Sequence, residues 1–423
     1  MLEPERPQDA LIEDFASYVS PAKVAAYRGL GFAVVPGRRE GCRVWDWDGK
    51  RSYINLRSSG GVFNLGHRPL RVIAALKEAL ERFDIGDHIL MSGPRAALAR
   101  RLAKLTPGDI TYTVFGVGGG EAIDLAIKLA RGYTRRPGII AVKGGYHGHT
   151  GFAVAATDEP SERFGPVAPG FSHVPFADID AMDAAIGDET AAVIMETIPA
   201  TSGMPIPPPE YYPDLRKLCD DRGALLILDE VQAGLGRTGR LWAIDEWGVV
   251  PDIMVLGKGM SGAIYPLSAT CFRPKLQSFF DEDPFVHVST YGGADLGCVV
   301  TMAMLDQITE PGFLEHVREM AGRFETGLAA LREKYPQAVR EVRQRGLMIG
   351  FETADPRGGP WLVQALINHG VISLFSNHNT ATLQIMPPLI ISADEVDEVL
   401  DALDLSLGEI APRMASEGAK GGA

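Results

Sequence analysis

Residues Ala224-Leu-Leu-Ile-Leu-Asp-Glu-Val-Gln-Ala-Gly234 decide the fold. Five apolar residues, too few for a helix, run straight into the carboxylate of Asp229 and a glycine-bounded turn. That is the signature of a buried strand ending at a polar edge. The signature recurs on both sides: Ile139–Val142, Ala191–Met195 and Ile253–Leu256 are short apolar runs with polar or glycine flanks. Helical patterns at Glu121–Arg131 and Tyr211–Arg222 lie between them. Strand–helix alternation predicts an α/β fold, a mostly parallel sheet flanked by helices.

Outward from this centre the pattern changes. Arg43–Asp46, the turn Asp48-Gly49 and Ser52–Asn55 read as a hairpin. Beyond 310 come a helix at 311–334, an extended piece at Leu347–Glu352, a helix at 361–369 and strands near 371–375 and 381–386. A last helix opens at Ser392-Ala-Asp-Glu395, a capping box. With 423 residues the chain is too long for one core. We therefore expect a large α/β domain at 61–310, a smaller α+β domain from 1–60 with 311–412, and a disordered tail at 413–423.

The net charge of −13 argues against nucleic-acid binding. No apolar run is long enough to span a bilayer. The acidic start MLEPERPQDALIEDF reads as neither a secretory signal nor a transit peptide. Four scattered cysteines, with no C-x-x-C, suit a reduced cytoplasm.

Open α/β sheets bind ligands beyond the carboxyl ends of their strands, so the residues after each strand are the ones to weigh. Gly118-Gly119-Gly120 precede a helix and offer N–H groups and a positive dipole end to a phosphate; the alternative is a tight turn. Lys258, between Gly257 and Gly259, is either a surface turn residue or a buried amine whose lowered pKa suits a Schiff base. Asp229 needs a cation beside it: a pyridinium N–H, a metal, or, if it caps a helix, backbone N–H groups. Tyr146 is a ring-stacking group or a core aromatic. His147 and His149 are too weakly spaced for a metal site, and none is expected. Together these parts describe a pyridoxal phosphate site.

At this point the sequence resembles the class III (subgroup II) aminotransferases of fold type I, from about Val44 to Ile391. The resemblance rests on Val44-Trp-Asp-Trp-Asp-Gly49 with Asn64-Leu-Gly-His67, on Tyr146-His147-Gly148, on Leu228 to Gly239 (LDEVQAGLGRTG), on Leu256-Gly-Lys-Gly259 and on Ser289-Thr290-Tyr-Gly-Gly293. It implies a seven-stranded large-domain sheet, a smaller domain built from both termini, and pyridoxal 5'-phosphate as cofactor. It implies that Lys258 carries the Schiff base, Asp229 pairs the ring nitrogen, Tyr146 and Val231 cover the two ring faces and Gln232 reaches the ring hydroxyl. Gly118, Gly119, Gly120, His147 and Glu196 join the cofactor contacts. Thr290 would reach the phosphate of a neighbouring subunit, which implies a homodimer.

Three departures bear on phosphate and substrate. The family's phosphate loop usually reads Ser-Gly-Thr/Ser-Glu-Ala; here the hydroxyls are gone. An Arg that clamps the substrate α-carboxylate commonly precedes the late Pro-Pro; here that position is Gln384. A Glu that shields this Arg is replaced by Thr201. Both halves of the switch are missing together, which avoids a bare buried cation. With Gly60, Arg57 lies in the N-terminal block that lines the other side of the pocket, where it supplies the charge for a carboxylate further from the amine, unless it faces solvent or pairs with an acid. The expected activity is transfer of an amino group from an amine or a β- or ω-amino acid to an oxo acid. The alternatives are a pyridoxal phosphate aminomutase, decarboxylase, racemase or lyase, and more remotely a nicotinamide-dependent oxidoreductase.

Overall fold

The structure, a computed structural model, describes residues 6–159 and 165–418. Three strands come first: β1 (Pro36–Glu40), β2 (Arg43–Asp46) and β3 (Ser52–Asn55). β2 and β3 form the expected hairpin, with Arg43 opposite Ile54 and Trp45 opposite Ser52. Gly49 takes a φ of 69° in its turn, a left-handed conformation that glycine adopts without a steric penalty.

The central sheet has seven strands: β4 (Tyr112–Gly116), β5 (Gly138–Val142), β6 (Phe171–Val174), β7 (Thr190–Glu196), β8 (Leu225–Asp229), β9 (Ile253–Leu256) and β10 (Ser268–Phe272). Their order is β4-β10-β9-β8-β7-β5-β6. The block from β9 to β6 is parallel, and β10 runs antiparallel between β4 and β9. The continuous apolar runs follow from burial on both faces. Leu226 and Leu228 join one core, with Tyr212 and Leu215 of the helix Tyr211–Arg222. Leu225 and Ile227 join the opposite core, with Ile123 and Ile127 of the helix Gly119–Thr134.

β10 was not foreseen, because Ser268 and Thr270 break its apolar run. Both are buried, and their hydroxyls donate to the carbonyls of Gly118 (2.9 Å) and Ala122 (2.8 Å). These bonds tie the start of the helix Gly119–Thr134 to the sheet.

Five strands follow late in the chain: β11 (Val339–Arg345), β12 (Met348–Thr353), β13 (Val371–Ile372), β14 (Leu374–Phe375) and β15 (Thr382–Ile385). β11, β12, β15 and β14 form one sheet, while β13 pairs in parallel with β3. One core holds Ile54 and Leu56 together with Phe324, Phe351 and Leu403, so the two ends of the chain bury each other's apolar faces.

The capping box at the last helix is formed: Glu395 N–H donates to Ser392 Oγ (3.2 Å), and Ser392 N–H donates to Glu395 Oε2 (3.1 Å). That helix, Ala393–Gly418, takes in residues 413–418, the first part of the expected disordered tail. Ile410, Ala411 and Met414 pack on the core and carry the helix onward. Residues 419–423 lie outside the described residues. Among the described residues no helix is long and apolar enough to cross a membrane.

Candidate active site

The carboxyl edge of the central sheet gathers the residues singled out above. Asp229 ends β8 and faces Glu196, the last residue of β7, across the ladder. Lys258 follows β9 by two positions, and the Gly144–Gly148 loop follows β5. Gly119 and Gly120 open the helix after β4. A cleft of about 200 Å³ lies among them, lined by Lys258, Asp229, Gln232 and Val231, by Glu196, by Tyr146, His147 and Gly148, and by Gly119 and Gly120.

Asp229 is almost fully buried and its carboxylate is fixed from two sides. Oδ2 meets Nδ1 of the buried His147 at 2.9 Å, and Oδ1 accepts from the N–H of Val231 at 3.0 Å. A carboxylate only accepts hydrogen bonds, so Nδ1 of His147 carries the proton. Sequence reasoning placed His147 beside the cofactor; the structure uses its ring to hold Asp229, 82 positions away. His149 likewise finds a distant acid, Glu159, at 3.0 Å, while its Nδ1 lies 3.2 Å from the hydroxyl of Tyr146.

The backbone at Lys258 has a φ of 41°, an unusual left-handed conformation for a lysine, of the kind found where function constrains the chain. Nζ donates to Gln232 Oε1 at 3.1 Å. Burial pushes the ammonium below the ordinary lysine range; Asp229 and Glu196 oppose that shift, and Arg57 adds to it. A more easily deprotonated amine is a better nucleophile and base near neutral pH. Glu196 accepts from the N–H of Tyr146 at 3.1 Å, and burial raises its pKa to about 7. Gly60, with a φ of 68°, brings its backbone against this group: a Cβ there would stand 3.2 Å from Gln232 Oε1 and 3.3 Å from Lys258 Cε.

An amine, a carboxylate held beside it, an aromatic wall and a helix N-terminus meet in one cleft, and residues 25–407 match the family model described as aminotransferase class-III. The chain belongs to the class-III aminotransferases. It is 50% identical over 394 residues to an uncharacterized aminotransferase of Archaeoglobus fulgidus, covering 93% of this chain and 92% of that one. It is 35% identical to the putrescine aminotransferase of Pectobacterium atrosepticum, covering 91% and 86%. Among solved structures it resembles the ornithine aminotransferase of Toxoplasma gondii, with 26% identity, a TM-score of 0.88 and 96% of each chain covered. A second structure of that enzyme is described with partial occupancy of pyridoxal phosphate at its active site.

This class-III aminotransferase is a pyridoxal phosphate enzyme of fold type I, and its donor set fits the cofactor. The first-turn N–H groups of the helix Gly119–Thr134 lack intrahelical acceptors and suit a phosphate. Among the described residues Lys258 is the only lysine lining the cleft, and the Asp229 carboxylate is anchored by His147 and Val231. Gly118 caps the helix and accepts from Ser268 through its carbonyl.

The residues proposed for substrate divide. Thr201 Oγ1 donates to the carbonyl of Gly144 at 2.9 Å, and Gln384 Nε2 donates to the carbonyl of Ala200 at 3.2 Å. Neither lines the 200 Å³ cleft. Arg57 is not among the residues lining it either, but its guanidinium has no hydrogen-bond or ion-pair partner among the described residues, burial lowers its pKa, and it couples electrostatically to Tyr146 and Lys258 of the cleft. Its turn is held by a residue the sequence did not single out, Arg237. That fully buried guanidinium donates to Ser58 Oγ (3.2 Å) and Asn64 Oδ1 (2.7 Å), beside the left-handed residues Ser58 and Ser59. Thr290 is exposed and lines a separate cavity with Leu80, Phe83 and Leu296 rather than the Lys258 cleft.

Proposed function

We propose that this aminotransferase takes its amino group from a primary amine or a β- or ω-amino acid and passes it to an oxo acid, with Arg57 reading a carboxylate that is remote from the reacting amine. The observation that carries this is the unpartnered guanidinium of Arg57 beside the cleft. Gln384 in place of the usual arginine supports it, because the ordinary α-carboxylate position then holds no cation. The name of the Pectobacterium relative, putrescine aminotransferase, names a diamine, which also fits a reacting amine with no adjacent carboxylate.

When bound, pyridoxal phosphate supplies the electron sink that makes the proton on the amine-bearing carbon removable. Lys258 Nζ, held by Gln232 Oε1 at 3.1 Å, would be the base that moves that proton. Asp229, fixed by His147 and Val231, offsets positive charge on the ring nitrogen. Tyr146 and Val231 wall the cleft.

Arg57→Ala should raise KM about 10- to 100-fold for an amino donor that carries a distal carboxylate, the worth of one charge-assisted hydrogen-bonded pair. For an uncharged monoamine the change should stay small. Steady-state kinetics with a matched pair of donors checks this; equal effects on both would sink the reading.

We further infer a homodimer in a reduced cytoplasm. Ile89, Leu90 and Met91, and Phe285, Val288 and Tyr291, stand exposed on the segments around Thr290, an apolar surface that a second copy would cover. All four cysteines are free and buried, which suits a reducing compartment. Sedimentation of the purified protein tests the dimer.

A further inference from the structure

The glycine loop leaves the phosphate end of the cleft without the hydroxyls that the family's usual loop carries. Another hydroxyl stands beside that loop. A Cβ built on Gly120 would lie 2.7 Å from Thr150 Oγ1, so this oxygen sits directly against the bare start of the helix Gly119–Thr134. Gly148, with a φ of 114°, makes the close approach possible: a Cβ there would come within 3.1 Å of Gly120 Cα.

Thr150 occupies the N-cap of the short helix Gly151–Ala156, where a threonine ordinarily gives its oxygen to a first-turn N–H. Here it makes no such bond. The N–H of Ala153 donates instead to Asp124 Oδ1 at 2.8 Å. Asp124 belongs to the helix whose N-terminus faces the cleft, so that helix caps its neighbour and releases the threonine. The Thr150 hydroxyl has no hydrogen-bond partner among the described residues, and the residue is exposed, open to an incoming ligand. A hydroxyl diverted from its own helix and set beside backbone N–H groups is a complementary donor for an anion.

We propose that Thr150 is a phosphate-positioning residue: its Oγ–H donates to the phosphate of the cofactor and replaces the hydroxyls missing at 118 and 120. The proposal rests on pyridoxal phosphate lying with its phosphate at this helix N-terminus.

The test compares two ligands on apoprotein freed of cofactor: pyridoxal phosphate, and pyridoxal, which lacks the phosphate. Absorbance titration gives Kd for each. Thr150→Val keeps the shape and removes the hydroxyl, and it should weaken pyridoxal phosphate about tenfold while leaving pyridoxal unchanged. Thr150→Ser should restore the affinity. The ³¹P resonance of the bound phosphate should shift in the valine variant and return in the serine variant. Unchanged affinity for pyridoxal phosphate, or equal losses for both ligands, would overturn the proposal. A parent apoprotein that captured neither ligand would instead overturn the cofactor reading on which the proposal stands.

Discussion

Lys258→Ala should lower kcat at least about 10³-fold while the variant still binds pyridoxal phosphate, now without a covalent link. The size follows from two roles lost at once. General base catalysis by a positioned side chain contributes about 10²–10⁴-fold, and covalent capture of the cofactor adds to it. Among the described residues no second lysine lines the cleft. Two other titratable groups that line the cleft already hold partners: His147 holds Asp229, and Glu196 accepts from Tyr146. The fold should survive, since the left-handed backbone at 258 is as costly for alanine as for lysine. Borohydride treatment followed by peptide mass analysis should label the parent on the peptide containing Lys258 and leave the variant unlabelled. Added methylamine should restore part of the rate, because the missing group is an amine. A variant within tenfold of the parent would remove Lys258 from the chemistry.

How much of this was legible beforehand depends on the kind of interaction. The strands β5, β7, β8 and β9 announce themselves because burial on both faces makes each an unbroken apolar run, and the residues at their carboxyl ends then fall on one edge by topology. Lys258, Asp229, Tyr146 and the glycines were found that way. β10 was hidden because its buried Ser268 and Thr270 are satisfied by carbonyls about 150 positions away, which no local pattern reveals. The same holds for the grip of His147 on Asp229 and for Arg237, whose buried charge is met only by oxygens from distant loops. Residues 413–418 were placed in a disordered tail because small and polar residues dominate from there on, whereas Ile410 and Met414 keep the helical spacing that docks the helix. Thr201 and Gln384 were singled out as departures from the family's pattern, but sequence alone did not show their side chains bonded to Gly144 and Ala200.

Asp229→Asn separates charge from shape. The asparagine oxygen can still accept from Val231 N–H, and its amide N–H can donate to His147 Nδ1 once that ring carries its proton on Nε2 instead, so the wall of the cleft stays in place while one negative charge disappears. Loss of the preorganised negative charge that would keep the ring nitrogen protonated, and the ring an electron sink, should lower kcat/KM about 10²–10³-fold. The cofactor should remain attached, because the attachment belongs to Lys258. A second readout has a definite sign. Asp229 holds the Lys258 pKa up against burial, so removing its charge must let that pKa fall further. The amine is then free at lower pH, and the rate at which apoprotein captures pyridoxal phosphate should reach half its plateau at a lower pH than in the parent. Stopped-flow absorbance across a pH series measures this directly. A midpoint that moved upward, or a kcat/KM within threefold of the parent, would show that the carboxylate at the end of β8 faces neither the amine nor the ring.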